Sequence, residues 1–319
     1  MRKNLFIASI ATALAPSALA VDVFVSIDST FAELHSGSGS GATSLFLDLA
    51  GTADEPRALA SDGTFLYFST QDGGPSAQPD NAIFRVNKAT KALEKFTFTT
   101  TLDTTIFDIE YDAATNALYY TDGQFGSRSV SRIDLTDLTD PGTPITPTTL
   151  VGDSFFGTTG LPNYLEIVGN EIYYTDFVGD AIFKVGIGGG TPTKVLDTPS
   201  GTPRGLVSDG TFLYWVDNSG DDISRALLDG TGITQIIDLD TVQSDQSPTP
   251  NDLVLFDGRL YWTEEGDNDG IYAASLSDPS DAALLFTTPA RPFGLVVVPE
   301  PGSLALLALG GLALVRRRR

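Results

Sequence analysis

The stretch "RGLVSDGTFLYWVDNSG", residues 204–220, decides how the rest of the chain is read. It opens apolar, breaks at Asp209-Gly210 and resumes as Leu213-Tyr214-Trp215-Val216. Two short apolar runs about an Asp-Gly turn read as a β-hairpin. Four other segments repeat the plan: "RALASDGTFLYFSTQDG" (57–73), "FDIEYDAATNALYYTDGQ" (107–124), "NYLEIVGNEIYYTDFVGD" (163–180) and "NDLVLFDGRLYWTEEGD" (251–267). Their first tyrosines, Tyr67, Tyr119, Tyr173, Tyr214 and Tyr261, are spaced by 52, 54, 41 and 47 residues.

Each repeat continues in the same way. A third strand follows the tyrosine strand ("AIFRV", "SVSRI", "AIFKV", "DISRA", "GIYAA"), and then a fourth ("LEKFTF", "TPTTL", "TKVL", "TQIIDL", "ALLF"). Four strands per unit at this period is the signature of β-propeller blades. The helical runs that a doubly wound fold needs between strands are missing. After the fifth unit "RPFGLVVV" supplies one more innermost strand. Its three partners occur at the other end as "VDVFVSI", "FAELHS" and "SLFLDL", with Phe24 in the tyrosine position 43 residues before Tyr67. The expected fold is therefore all-β, a six-bladed β-propeller whose last blade joins Phe24–Leu49 to Phe293–Val298. Such closure removes the free sheet edge.

The segment "LYWVDNSGDDISRALLDGT" (213–231) resembles the repeat of the YWTD family of six-bladed propellers. "LYYTD", "IYYTD" and "LYWTE" are similar to it more loosely, and "LYFST" departs most. The resemblance implies an extracellular binding scaffold, commonly without catalysis.

The two ends read as addresses. Arg2 and Lys3, an apolar Leu5–Leu14 and Ala18-Leu19-Ala20 have the order of a secretory signal peptide over residues 1–20. At the other end, Val298-Pro299-Glu300-Pro301 precedes an apolar run, Leu304–Val315, and then Arg316, Arg317, Arg318 and Arg319. As a helix that run is about 18 Å long, against about 30 Å of bilayer hydrocarbon. The four arginines should stay on the cytoplasmic side. This three-part tail resembles the PEP-CTERM sorting signal. The resemblance implies processing by an exosortase, a membrane-embedded enzyme of Gram-negative bacteria, with Pro299, Glu300 and Pro301 as the recognised part. An ordinary C-terminal membrane anchor is the alternative. The expected division is signal peptide 1–20, propeller 21–298 and sorting tail 299–319, with transient membrane contact through the tail.

Composition narrows the partners. The chain carries 19 basic and 41 acidic residues, a formal net charge of -22. Six of the basic residues and one acidic residue lie in the two ends, which leaves the body near -27. Such a surface repels nucleic acid and favours cations or basic partners. There is no cysteine and one histidine, so disulfides are excluded and structural zinc is disfavoured. His35 falls on an expected outer strand, with a surface role.

Two sets of residues are candidates for chemistry. Carboxylates gather in the loops between second and third strands, and Glu264, Asp267 and Asp269 around "GDNDG" (266–270) form the best fragment for calcium. That fragment lacks the twelve-residue loop with its closing glutamate, and solvated, turn-forming aspartate is the competing reading. Arg85, Arg132, Lys184 and Arg225 recur in third strands, and Asp122, Asp176 and Asp217 end second strands. Cross-strand ion pairs between them are expected, which would leave Glu264 without one beside Ala273. The second set opens each blade: "EPRAL", "LPNYL", "TPRGL", "TPNDL" and "ARPFGL". Arg57, Asn163, Arg204, Asn251 and Arg291 should cluster at the channel mouth. There they would bind a carboxylate or sugar ligand, or else satisfy loop backbone at blade entry.

No G-x-S-x-G occurs, and "GIGGGT" (186–191) carries Thr191 where a dinucleotide motif needs glycine. The expected function is a non-catalytic binding or structural module of the cell envelope or extracellular matrix. Its expected partner is an extracellular polysaccharide or an envelope protein. The alternative is a metal-dependent hydrolase, because "LPNYLEIVGNEIYYTD" and "TPNDLVLFDGRLYWTE" resemble entry strands of gluconolactonase-type propellers. That resemblance implies Asn163 or Asn251 as a metal ligand and Glu55 as the family's glutamate, with no match for its aspartate.

Overall fold

The computed structural model describes residues 21–28, 33–49, 55–71, 82–96, 98, 105–137, 144–199, 201–242, 248–266 and 268–299. The signal peptide, Asp267 and the tail beyond Pro299 lie outside these residues. Six antiparallel sheets of four sequential strands form the wheel. Blade 1 has its inner strand at Glu55–Ser61, blade 2 at Ile106–Asp112 and blade 3 at Pro162–Val168. Blade 4 starts at Pro203–Ser208 and blade 5 at Thr249–Phe256. Blade 6 joins the chain ends: Arg291–Pro299 is innermost, followed by Val21–Asp28, Glu33–Ser38 and Ser44–Asp48. Val23 pairs with Val297 and Val25 with Leu295, as the expected closure requires. A two-residue strand, Gly41–Ala42, leaves blade 6 to run parallel to the outer strand of blade 5.

The tyrosine motif explains how blades pack. A propeller blade is covered on both faces, so its second strand is apolar at successive positions instead of alternating with polar ones. In blade 1, Leu66 and Phe68 face blade 6, and Tyr67 faces blade 2. In blade 4, Leu213 and Trp215 face blade 3, and Tyr214 and Val216 face blade 5. Six apolar clusters result, one at each blade boundary. The turn before this strand is built identically in blades 1 and 4. Asp62 Oδ1 accepts the Thr64 and Phe65 amides, and Oδ2 accepts the Tyr67 hydroxyl at 2.8 Å. Asp209 does the same for Thr211, Phe212 and Tyr214.

Each inner strand bulges at one place. Pairing with the second strand slips between Pro56 and Leu59, Pro162 and Leu165, Pro203 and Leu206, and Pro250 and Leu253. The corresponding slips in blades 2 and 6 fall at Phe107 and at Phe293-Gly294. The recurrent proline suits a bulge because it has no N–H to offer the ladder. The bulge frees an amide that a hydroxyl on the second strand then takes. Ala58 donates to Ser69 Oγ (3.1 Å), Tyr164 to Thr175 Oγ1 (2.9 Å), Asp252 to Thr263 Oγ1 (3.0 Å) and Gly294 to Ser26 Oγ (2.8 Å).

Three of these hydroxyls, and that of Thr121 in blade 2, then reach the next blade. Ser69 donates to Ile106 O (3.2 Å), Thr263 to Phe293 O (2.8 Å), Ser26 to Arg57 O (2.6 Å) and Thr121 to Asn163 O. Blade 4 carries Val216 at this position. Its bulge is tight for another reason: a Cβ on Gly205 would stand 2.5 Å from the Leu253 amide nitrogen of blade 5.

Replacing Thr263 by valine keeps the shape and removes both bonds. The expected cost is about 1–3 kcal/mol, because the Asp252 amide and the Phe293 carbonyl are buried without partners. Chemical denaturation of the full chain measures it, and an unchanged midpoint and slope would refute this role for the hydroxyl.

Candidate functional site

All six inner strands start on the same side of the wheel, and there the bulge residues open onto one cavity of about 360 Å³. Arg57, Phe107, Asn163, Arg204, Asn251 and Phe293 each come from a different blade and line it, joined by Tyr164, Phe177, Glu265 and Arg291. Asn163 and Asn251 are buried, with 6% and 1% of their surface exposed. Arg204 Nη1 donates to Asn251 Oδ1. The Arg57 guanidinium lies over the Phe293 ring at 4.1 Å, and that of Arg204 over Phe177 at 5.2 Å. Arg57 is 4.0 Å from Glu55 Oε2. Burial lowers the Arg204 pKa, and the charge of Arg57 adds to that, while Tyr164, Glu265 and Glu264 oppose it.

The five residues singled out at blade entry therefore line a common cavity, with one change of role. Arg291 stands at the rim, with 55% of its side chain exposed, and pairs with Glu265 Oε1 at 2.8 Å. Phe293 holds the bulge position in blade 6 that Arg57 holds in blade 1. Phe107 holds it in blade 2, whose entry "TTIFDI" lacks the proline that marks the others. Each of these phenylalanines stands two residues before a buried inner-strand aliphatic, Ile109 in blade 2 and Leu295 in blade 6.

Other expectations are corrected by the register. The third-strand bases stand opposite the tyrosines, not opposite the aspartates: Tyr67 faces Arg85, Tyr119 faces Arg132, Tyr173 faces Lys184 and Tyr214 faces Arg225. Their carboxylate partners lie elsewhere, with Arg85 on Glu94 (2.6 Å) and Lys184 on Glu171 (2.7 Å). Asp122, Asp176 and Asp217 instead accept backbone amides of their own turns, such as Gln124, Gly179 and Gly220. Ala273 faces Tyr261, so it has no bearing on Glu264. His35 is buried, with 6% exposed, on the third strand of blade 6, and its Nε2 lies 2.8 Å from Glu33 Oε2.

Of the calcium fragment, Glu264 is buried and accepts the Thr249 amide, and Asp269 accepts the Gly266 amide at 3.0 Å. Asp267 lies outside the described residues. Among the described residues no group of three or more His, Cys, Asp or Glu side chains is placed to hold a metal ion.

The opposite end of the channel is lined by carboxylates that the sequence reading missed: Asp108, Glu110, Glu166 and Asp252. Asp108 accepts the Leu165 amide of blade 3 (2.9 Å), and Asp252 accepts the Leu295 amide of blade 6 (2.7 Å). Burial pushes the Asp108 carboxyl up to about 7, against the pull of the Leu165 and Ile109 amides. Burial raises Glu166 to about 8, against the Ser208 amide and with the help of the Asp108 charge. Glu110 and Asp252 are raised well above the ordinary range by burial, and then by neighbouring carboxylates.

Residues 297–319 match the model of the PEP-CTERM protein-sorting motif, so the chain carries a signal that implies export, envelope targeting and processing by an exosortase-type enzyme. Among the described residues no helix is long and apolar enough to cross a membrane. No curated protein matches the chain. Solved structures share the fold at low identity. A chain of a nidogen/laminin complex is 15% identical, with TM-score 0.65, covering 87% of this chain and 98% of that one. A putative TolB from Agrobacterium tumefaciens is 13% identical, with TM-score 0.57, covering 89% and 99%. A protein from Lactobacillus plantarum is 14% identical, with TM-score 0.56, covering 86% and 82%.

The raised carboxyls set the pH dependence of stability. Unfolded, they ionise near pH 4; folded, they keep their protons to about pH 7–8 for Asp108 and Glu166. Between those values the folded state binds more protons, so stability falls as pH rises. The melting temperature should drop from pH 5 to pH 8, and Glu166→Gln should make that drop shallower. A melting temperature that climbs across this window would contradict the assignment.

Proposed function

We propose that this chain is an exported, envelope-directed propeller that binds a ligand at its channel mouth and is delivered by its PEP-CTERM tail. The observation that carries this reading is the convergence of six bulge residues, one per blade, on a single cavity. Its volume falls in the range of small-ligand sites, which are concave, largely apolar and set with a few polar groups. Strand direction supports it as well. The closing strand runs from Arg291 at the mouth to Pro299, eight residues or about 26 Å away, so the sorting tail leaves from the opposite face. A propeller held by that tail turns its mouth away from the membrane, toward envelope polysaccharide or protein.

The hydrolase alternative is less well supported by the mouth. Asn251, one of the two asparagines that would ligate a metal, has its amide oxygen on the Arg204 guanidinium. Glu55 lies beside Arg57. A divalent cation there would meet two fixed positive charges.

Thermal unfolding of the full chain in detergent, screened against oligosaccharides, organic acids, lactones, calcium and chelator, tests the proposal. A ligand that binds the folded state raises the midpoint, and Asn251→Ala should abolish that rise. Calcium-dependent lactone hydrolysis that disappears in Asn163→Ala and Asn251→Ala would overturn it in favour of the hydrolase.

A further inference from the structure

The mouth has an imbalance of hydrogen-bonding groups that narrows the ligand. Arg57 Nε, Arg204 Nε and Asn251 Nδ2 are buried and have no partner. All three belong to side chains that line the same cavity. All three are donors. Two acceptors of the cavity wall are already engaged: Asn251 Oδ1 by Arg204, and Glu265 Oε1 by Arg291 at 2.8 Å. Buried polar groups are nearly always satisfied, and an orphaned donor costs about 1–3 kcal/mol. Three in one cavity, contributed by blades 1, 4 and 5, call for acceptor atoms from outside the chain.

Charge points the same way. Both arginines line the cavity, and the charge of Arg57 adds to the burial that lowers the Arg204 pKa, in a chain of net charge -22. Each guanidinium lies over a phenyl ring, Arg57 over Phe293 and Arg204 over Phe177. A ring contacts a guanidinium without using its N–H groups, so apart from the Arg204 Nη1 bond to Asn251 those groups remain for a planar anion. A carboxylate offers two acceptor oxygens to such a fork and carries one charge, which an apolar wall tolerates better than the two of a phosphate. Phe107, Phe177 and Phe293 supply flat apolar faces on which the rest of a ring-shaped molecule would lie.

We propose that the mouth cavity recognises a carboxylate carried on a six-membered ring, held by Arg57, Arg204 and Asn251 between the phenyl rings. This rests on the mouth being a binding site and specifies its ligand class. Sugar acids and aromatic acids share this chemistry, and the test separates them.

Isothermal titration of the full chain in detergent uses glucuronate and benzoate, each with an uncharged counterpart, glucose and benzamide. At least one acid should bind, with its counterpart at least tenfold weaker. Binding of glucuronate alone identifies a sugar acid, and of benzoate alone an aromatic acid. Arg204→Gln and Arg57→Gln should each weaken the acid by about tenfold or more, the loss expected for a charge-assisted bond. Circular dichroism verifies that each variant is folded, and agreement of the two guards against local damage by either. The proposal is overturned if neither acid binds, if an uncharged counterpart binds as well as its acid, or if both variants retain parental affinity. Glucose binding that is indifferent to the arginines would overturn the carboxylate assignment while leaving a binding module intact. Calcium-dependent lactone turnover would instead remove the module.

Discussion

Neighbouring inner strands in this propeller share no backbone ladder. Side chains at the bulges hold them around the channel, and the fold depends on that substitution. A hydroxyl from the second strand takes the amide that the bulge frees and passes its own proton to the next blade's carbonyl, as Ser26 does between Gly294 and Arg57. Two aspartates supply a second kind of link, from Asp108 to the Leu165 amide and from Asp252 to the Leu295 amide. Where neither is present, close approach stands in: Gly205 lies against the backbone of blade 5 with no room for a side chain. The hydroxyls and the aspartates satisfy buried backbone groups that would otherwise be costly in a channel walled by parallel strands.

The same bulge makes the candidate site. An extra residue in one strand turns its neighbours out of the regular alternation. Position 57 and its counterparts are thereby turned to the mouth instead of into a blade boundary. The framework repeats, but the residue at the turned position does not: arginine, phenylalanine, asparagine, arginine, asparagine and phenylalanine follow one another around the ring. Conformation there is fixed by proline, hydroxyl and glycine, and so leaves the identity of the outward side chain free to vary. Function in propellers is lodged in such positions and not in the fold that carries them.

That division also accounts for what the sequence disclosed. Blade number and closure were legible because each boundary buries a hairpin with a fixed pattern, so Phe24 could be recognised as standing in for a tyrosine. Four of the six bulge residues were legible through the preceding proline. Phe107 was missed because Ile106 replaces that proline, and Phe293 because Arg291 drew attention by its charge. The carboxylates at the far end of the channel were not legible. Nothing in "FDIEYD" or "NDLVLF" distinguishes an acid turned onto a neighbouring blade's amide from one in solvent, since that contact spans 57 residues for Asp108 and 43 for Asp252. The ion pairs expected between second and third strands failed for a related reason. Recurrence along the sequence located the charges, but a shift of a few residues in register put tyrosine, not aspartate, opposite each base.

The sorting motif and the closure share residues, which ties delivery to folding. The motif begins at Val297, inside the strand that closes the wheel, where Val297 pairs with Val23, Val298 with Asp22 and Pro299 with Val21. There is no spacer between the last blade and the address. Val296 and Val297 belong to the apolar clusters on the two sides of blade 6, so peeling the strand back to expose the start of the motif would open both boundaries at once. In the folded protein the first three residues of the motif are therefore already paired in the closing strand. The closing strand thus carries the mouth at one end and the start of the sorting motif at the other, about 26 Å apart.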